Sequence, residues 1–193
     1  MSTQTSRPVP EPRNGVNTTA FFATMDVIKG KPELADFQWR VQNQWFSGTH
    51  SRSEFKTFTG AGGEHDHRVS YKADSDHPEV LVGEDNGPAP VEYILHALAS
   101  CLTAGIANIA SARGVDLEEV TSTVEGDIDL KGILGLSETA RNGFTAIRVH
   151  FAVKGSGDQA MMRKIVEQSV ARSAVFDIIT NGCEVDVRVN ELH

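Results

Sequence analysis

The chain has 193 residues, 39% apolar and 23% charged, and 18 Lys and Arg against 26 Asp and Glu give a net charge of −8. That length suggests one domain, or one domain with an extension, and is enough chain to bury a real core. The acidic balance argues against nucleic acid or an anionic membrane as partner, since both require a basic face, and no stretch approaches about 18 consecutive apolar residues, so no membrane span is expected.

Residues 1–15, "MSTQTSRPVPEPRNG", are Pro-rich and have neither an apolar core nor a signal-peptide layout. They read as a disordered leader, and the expected location is the cytoplasm. The two cysteines, Cys101 and Cys183, fit a reducing compartment, where disulfides are rare. Residues 16–36 read as a helical extension. Asn17 or Thr18 would cap it, Phe21, Phe22, Met25 and Ile28 recur at helical spacing, and Gly30 and Pro32 end it. Residues 37–193 are expected to form the main domain. "FQWRVQNQWFSG" (37–48) alternates as a strand, with Phe37, Trp39 and Val41 on one face. "SRSEFKTFTGAGG" predicts a second strand and a hairpin turn, and residues 67–74 a third strand. A polar, Pro- and Gly-rich connection follows.

The longest apolar segment covers residues 89–114, with Pro90 suited to a first helical turn and Gly114 to the stop. It is apolar nearly all round, as a central core helix would be. Residues 120–132 and 144–155 alternate as strands, the first with Val120, Val124, Ile128 and Leu130 as inward positions. An amphipathic helix capped by Asp158 or Ser156 follows, then a shorter helix stopped by Gly182. "CEVDVRVNEL" predicts a closing strand. This mixed order predicts an α+β fold rather than a doubly wound α/β sheet.

Cys101 lies in "HALASCLT" (96–103), where a cysteine usually serves as a small buried hydrophobe. At about 100° per residue, its helix face carries Ile94, Ala97, Leu98, Ala104, Gly105 and Asn108. The small residues leave room for another helix or for a substrate. A reactive thiol also needs a group that favours the thiolate. Glu92 and His96 are i,i+4 neighbours able to pair with each other, but Glu92 lies about 180° round the helix from the sulfur. An arginine from elsewhere, or a group from a second subunit, would have to help. Cys183 reads as a half-buried strand residue; a disulfide to Cys101 is open in principle. His65 and His67 in "EHDHR" share a strand face, yet no third ligand at metal-binding spacing accompanies them, and a solvated edge is expected. No nucleotide-binding glycine motif and no Gly-x-Ser-x-Gly is present, so neither a metal nor a cofactor is expected.

"GPAPVEYILHALASCLTAG", then a β-ribbon, then "SAVFDIITNGCEVDV", resembles the OsmC/Ohr family of hydroperoxide reductases and relatives over residues 38–193. Two motifs carry the likeness: Pro-x-Glu-x-apolar-apolar-x-Ala-Leu-x-x-Cys, ending at Cys101, and Ser-x-Val-x-x-x-Ile-x-Asn-Gly, starting at Ser173. The resemblance implies an OsmC-like domain over residues 37–193, with antiparallel β-sheets packed around long central helices. It also implies an intertwined homodimer with active sites near the subunit interface. It makes Cys101 the thiol that attacks a peroxide and becomes a sulfenic acid. The family's resolving cysteine falls at Ser173, which cannot close a disulfide, and Cys183 does not match that position. The implied chain is an OsmC-like member without the usual second cysteine. The family glutamate directly follows the helix-opening proline; here Val91 stands there and Glu92 comes one place later. The arginine that pairs with the thiolate comes from the N-terminal strands, where Arg52 and Arg68 are the candidates. The expected function is stress-related reduction of an organic hydroperoxide or peroxide through a single cysteine, with an external thiol as reductant. The alternative is a non-catalytic protein that binds a small apolar ligand, with Cys101 in the core.

Overall fold

The computed structural model describes residues 12–189. Most of the expected leader therefore lies outside the described residues. Its last part does not read as disordered: Arg13 and Val16 exchange backbone hydrogen bonds of 3.1 and 2.8 Å around Asn14 and Gly15, both at positive φ. An Asn-Gly pair is the sequence best suited to such a turn, because both residues tolerate the left-handed region.

The chain divides into two compact units, residues 1–95 and 96–193. The first opens with α1 (Thr18–Gly30), capped as expected by Asn17, whose side chain accepts from the Ala20 N–H at 2.9 Å. Four strands follow: β1 (Gln38–Trp39), β2 (Gln42–Ser47), β3 (His50–Gly60) and β4 (Gly63–Ser75). β3 is central. β1 and β2 pair antiparallel with successive stretches of it, and β4 pairs along it from Gly60↔Gly63 to Ser51↔Ser75. The single strand expected over 37–48 is thus two strands with a break at Arg40 and Val41. The β3–β4 turn is Ala61–Gly62, at φ 48° and 81°, and the two-residue spacing fixes the register from Gly60 to Thr57, beyond which a bulge between Phe55 and Thr57 shifts the pairing.

α2 (Pro90–Ala112) begins in the first unit and continues through the second. The second unit then carries β5 (Leu117–Ile128), a helical turn α3 (Leu130–Ile133), β6 (Phe144–Gly155), α4 (Gln159–Ala171) and α5 (Ala174–Asn181). β5 and β6 form a two-stranded antiparallel sheet with Val124 opposite Val149. Leu130 is not an inward strand position: Asp129 accepts from the Lys131 N–H at 3.0 Å and starts a helical turn there. Asp158 caps α4, accepting from the Met161 N–H at 2.7 Å. The core joins Ile106, Ile109 and Ala110 of α2 to Val115 and to Met162 and Ile165 of α4. α2 is long and apolar enough by composition to cross a membrane, yet its Leu102 and Ile106 are packed inside the second unit. A core helix passes a hydropathy test for the same reason a span does.

Over residues 183–189 the expected closing strand is not formed, and its last residues lie outside the described ones. Residues 182–189 have no ladder, and Val185, Val187 and Val189 are 75%, 83% and 91% exposed. Alternation and valine content favour a strand, but a strand exists only against another backbone, and none pairs with this segment among the described residues. With the two sheets and the helices, the protein has an α+β fold with antiparallel sheets.

Candidate functional site

Cys101 lies in the middle of α2 and is half-buried. Helix α4 approaches α2 closely because Gly105, one turn beyond Cys101, has no side chain: a methyl there would lie 2.2 Å from Ser169 Oγ. Ser169, 2% exposed, donates its hydroxyl to the Leu102 carbonyl at 2.7 Å. The small residues on the Cys101 face are therefore explained in part by packing within the chain. Four residues after Ser169 the chain reaches Ser173, the N-cap of α5. Its Oγ accepts from the Phe176 N–H at 3.1 Å and donates to Cys101 Sγ, also at 3.1 Å. The structure thus brings together Cys101 and Ser173, the two positions that the sequence motifs single out. Cys183 is exposed, and both cysteines are free thiols.

The other expected site residues are arranged differently. Glu92 does not pair with His96. It is the third residue of α2, and its carboxylate accepts from the Ala89 N–H at 2.7 Å. A helix start leaves backbone N–H groups without partners, and a glutamate at this position satisfies one of them. His96 instead lies 3.5 Å from Ser100 Oγ. Arg52, on β3, is held by Asp74 of β4 through Nε at 2.9 Å and a second nitrogen at 3.2 Å, and its guanidinium lies 5.3 Å from the Phe46 ring centroid. Arg68 is exposed on β4. Glu92 is thus engaged by the helix start and Arg52 by Asp74. His65 stacks on Phe58 and His67 lies tilted against it, each with ring centroids 5.3 Å away, so the two share a face.

Two carboxylates that the sequence reading passed over organise the first unit. Asp74 accepts from Arg52 and from His50 Nε2 at 2.8 Å, and these partners, Arg52 foremost, hold its carboxyl below the usual range. Asp76, 1% exposed, is bound by Thr49 Oγ1 at 2.5 Å, the His77 N–H at 2.8 Å and Asn86 Nδ2 at 2.8 Å. The N–H groups of Glu84 and Asn86 complete the set at 3.3 and 3.2 Å. The Thr49 hydroxyl, followed by the Asn86 groups, pushes this carboxyl well below its ordinary value despite burial. The loop it ties down enters α2, and Tyr93 reinforces that junction by donating its hydroxyl to the Asp74 carbonyl at 2.5 Å. "ADSDHP" (73–78) with "NG" at 86–87, its Asn86 ten residues after Asp76, is a readable signal, since Asp and Asn order turns through their own backbone contacts.

An apolar cavity of about 320 Å³ in the first unit is lined by Val41, Phe55, Ala73, Pro90 and Tyr93 among others. In the second unit a groove of about 660 Å³ runs between β6 and α4, floored by Val149, Phe151 and Val166. Among the described residues no group of three or more His, Cys, Asp or Glu side chains is placed to hold a metal ion.

No curated protein has significant sequence similarity to the chain. Among solved structures, an OsmC-like protein from Mycoplasma pneumoniae aligns with a TM-score of 0.57 at 13% identity, over 81% of this chain and 98% of that one. An osmotic-stress-induced and detoxification-response protein from Psychrobacter arcticus aligns with a TM-score of 0.55, also at 13% identity, over 74% and 88% of the two chains. At these identities the likeness is one of fold. The family model for OsmC-like proteins matches residues 83–188, more than half of the chain and including both Cys101 and Ser173. The chain belongs to the OsmC-like protein family.

Proposed function

We propose that this protein is a thiol-dependent peroxide reductase in which Cys101 is the peroxidatic cysteine and an external thiol is the reductant. The observation that supports this best is the Ser173 hydroxyl donated to Cys101 Sγ at 3.1 Å, inside a family associated with the peroxide and stress response. In this reading the Cys101 thiolate attacks the terminal peroxide oxygen. The S–O bond forms as the O–O bond breaks, and the departing alkoxide takes a proton from water to leave as the alcohol. Cys101 is left as a sulfenic acid. An external thiol condenses with it, releasing water and giving a mixed disulfide. A second thiol then displaces Cys101 and regenerates it. The chain's own second cysteine, Cys183, stands in the exposed segment beyond α5 and has no part in the cycle.

The acting species is a homodimer. Trp39, Val41, Tyr71 and Ile94 leave much apolar surface exposed in the first unit, and the valines of residues 182–189 do so in the second. A second copy would cover such surface. In this reading the cycle runs in a reducing compartment, the cytoplasm, which would supply such thiols. A second reading, capture of a small apolar ligand, is favoured by the 320 Å³ cavity and its apolar lining. Intact mass after one equivalent of an organic hydroperoxide, with and without a sulfenic-acid trap, separates the two. A trapped adduct on Cys101 supports the reductase; an unchanged mass together with saturable binding of an apolar probe supports the ligand carrier.

A further inference from the structure

We infer that Ser173 is the positioning residue of the Cys101 thiol, a role that rests on the reading of Cys101 as the reacting group. A serine hydroxyl has one proton and two lone pairs. At Ser173 the backbone decides how they are used. The Phe176 N–H occupies a lone pair at 3.1 Å, because Ser173 caps α5, and the proton is directed at Cys101 Sγ at 3.1 Å. Ser173 is 6% exposed, so bulk water does not compete for that proton. Ser169 supplies the contrast. It too is buried and also reaches α2, but its proton goes to the Leu102 carbonyl, a contact that only packs two helices together. The Ser173 bond ends on the one thiol of the helix.

A hydrogen bond to an anionic acceptor is stronger than one to the neutral form. The Ser173–Cys101 bond therefore strengthens as the thiol becomes the attacking thiolate, and it holds the sulfur in one rotamer while it does so. During the attack Ser173 keeps its proton. The new S–O bond uses a sulfur lone pair, the O–O pair leaves on the alkoxide, and water protonates the product. Serine at this position thus acts as a fixed donor to sulfur as well as leaving out the second thiol.

The test follows alkylation of Cys101 by iodoacetamide at pH 7 in a Cys183→Ala background, alongside the ultraviolet absorbance of the thiolate. Ser173→Gly removes the hydroxyl while leaving a residue tolerated at an N-cap. It should slow alkylation about tenfold and lower the thiolate absorbance. Ser173→Thr keeps the hydroxyl and should restore the rate to within about twofold of the parent. A purely structural role would lower the thermal midpoint of the Gly variant and leave its rate unchanged or faster. Should the Gly variant fail to fold, Thr against Val at the same position asks the question at constant shape: a slower Val supports the role, and equal rates overturn it. A Gly rate equal to the parent's, or a Thr rate as slow as Gly's, also overturns it. Alkylation needs no peroxide, so a parent protein inert to hydroperoxide would defeat the reductase reading without touching this comparison.

Discussion

Gly105→Ala sets two opposed effects of known size against each other. In an ordinary helix interior the change stabilises by about 1 kcal/mol, because glycine loses more backbone freedom on folding. At this position the added methyl would lie 2.2 Å from Ser169 Oγ and 3.1 Å from its Cβ. The first distance is far inside contact, and Ser169 is 2% exposed with its hydroxyl bonded to the Leu102 carbonyl. Rotating the hydroxyl away leaves it buried without an acceptor, at about 1–3 kcal/mol. Moving α4 outward instead is overpacking, also about 1–3 kcal/mol. Either route outweighs the propensity gain, and the net loss is about 1 kcal/mol, more if both operate. Urea denaturation of the parent, Gly105→Ala, Ser169→Gly and the double variant measures it. Ser169→Gly removes the two nearest atoms and leaves only its Cα, at 3.5 Å, an ordinary contact. In that background Gly105→Ala should become neutral or stabilising, a coupling of about 1 kcal/mol or more. A Gly105→Ala variant with a higher urea midpoint than the parent would refute the packing argument.

Ser173→Cys should convert the protein to a two-thiol form: hydroperoxide then links Cys101 to the introduced thiol in a disulfide seen as the loss of two hydrogens by mass, whereas the parent gives none. An internal disulfide in the parent that vanishes in Cys183→Ala would sink the one-cysteine reading. Asp76→Ala strands five hydrogen-bonding groups around one buried carboxylate and should lower the thermal midpoint by about 5–10 °C; a shift below about 2 °C would show that the loop holds without it. The folded chain keeps Asp76 ionised more strongly than the unfolded chain does, so it binds fewer protons there. That stability is complete above the ordinary carboxylate range near pH 4 and is lost as pH falls below it. Asp76→Asn should flatten this acid limb of the midpoint-versus-pH curve, and an unchanged limb would contradict the assignment. Sedimentation at micromolar concentration should give a dimer, with an interface above about 2,000 Å², and a monomer there would end the assembly proposal.

Local patterns carried most of the secondary structure into the sequence. Asn17 and Asp158 announce helix starts because an oxygen-bearing side chain beside orphan N–H groups is a local device, and both caps form. The strands of both sheets are legible because alternation and turn residues act over a few positions. So is the family, since its two motifs are short runs of residues whose spacing survives in the chain. What the sequence reading missed depends on partners distant in the chain. Arg52 is bound by Asp74, 22 residues further on in the neighbouring strand, and Ser169 reaches the Leu102 carbonyl across 67 residues.

The closing segment shows the same division from the other side. Its alternating valines carry full strand propensity, but ladder hydrogen bonds require a second backbone, and among the described residues none pairs with 182–189. By itself the sequence determined where the main helices start, the alternation of β5 from Val120 to Ile128, and the family, through the motifs that end at Cys101 and begin at Ser173. Only the tertiary structure decided what touches that sulfur. Ser173 could be named from a motif as the place of a missing cysteine. That its single proton points at Cys101 follows from the cap it makes on α5 and from the close approach of α4 that Gly105 permits. Those are packing facts, set by atoms that lie far apart along the chain, and no local pattern encodes them.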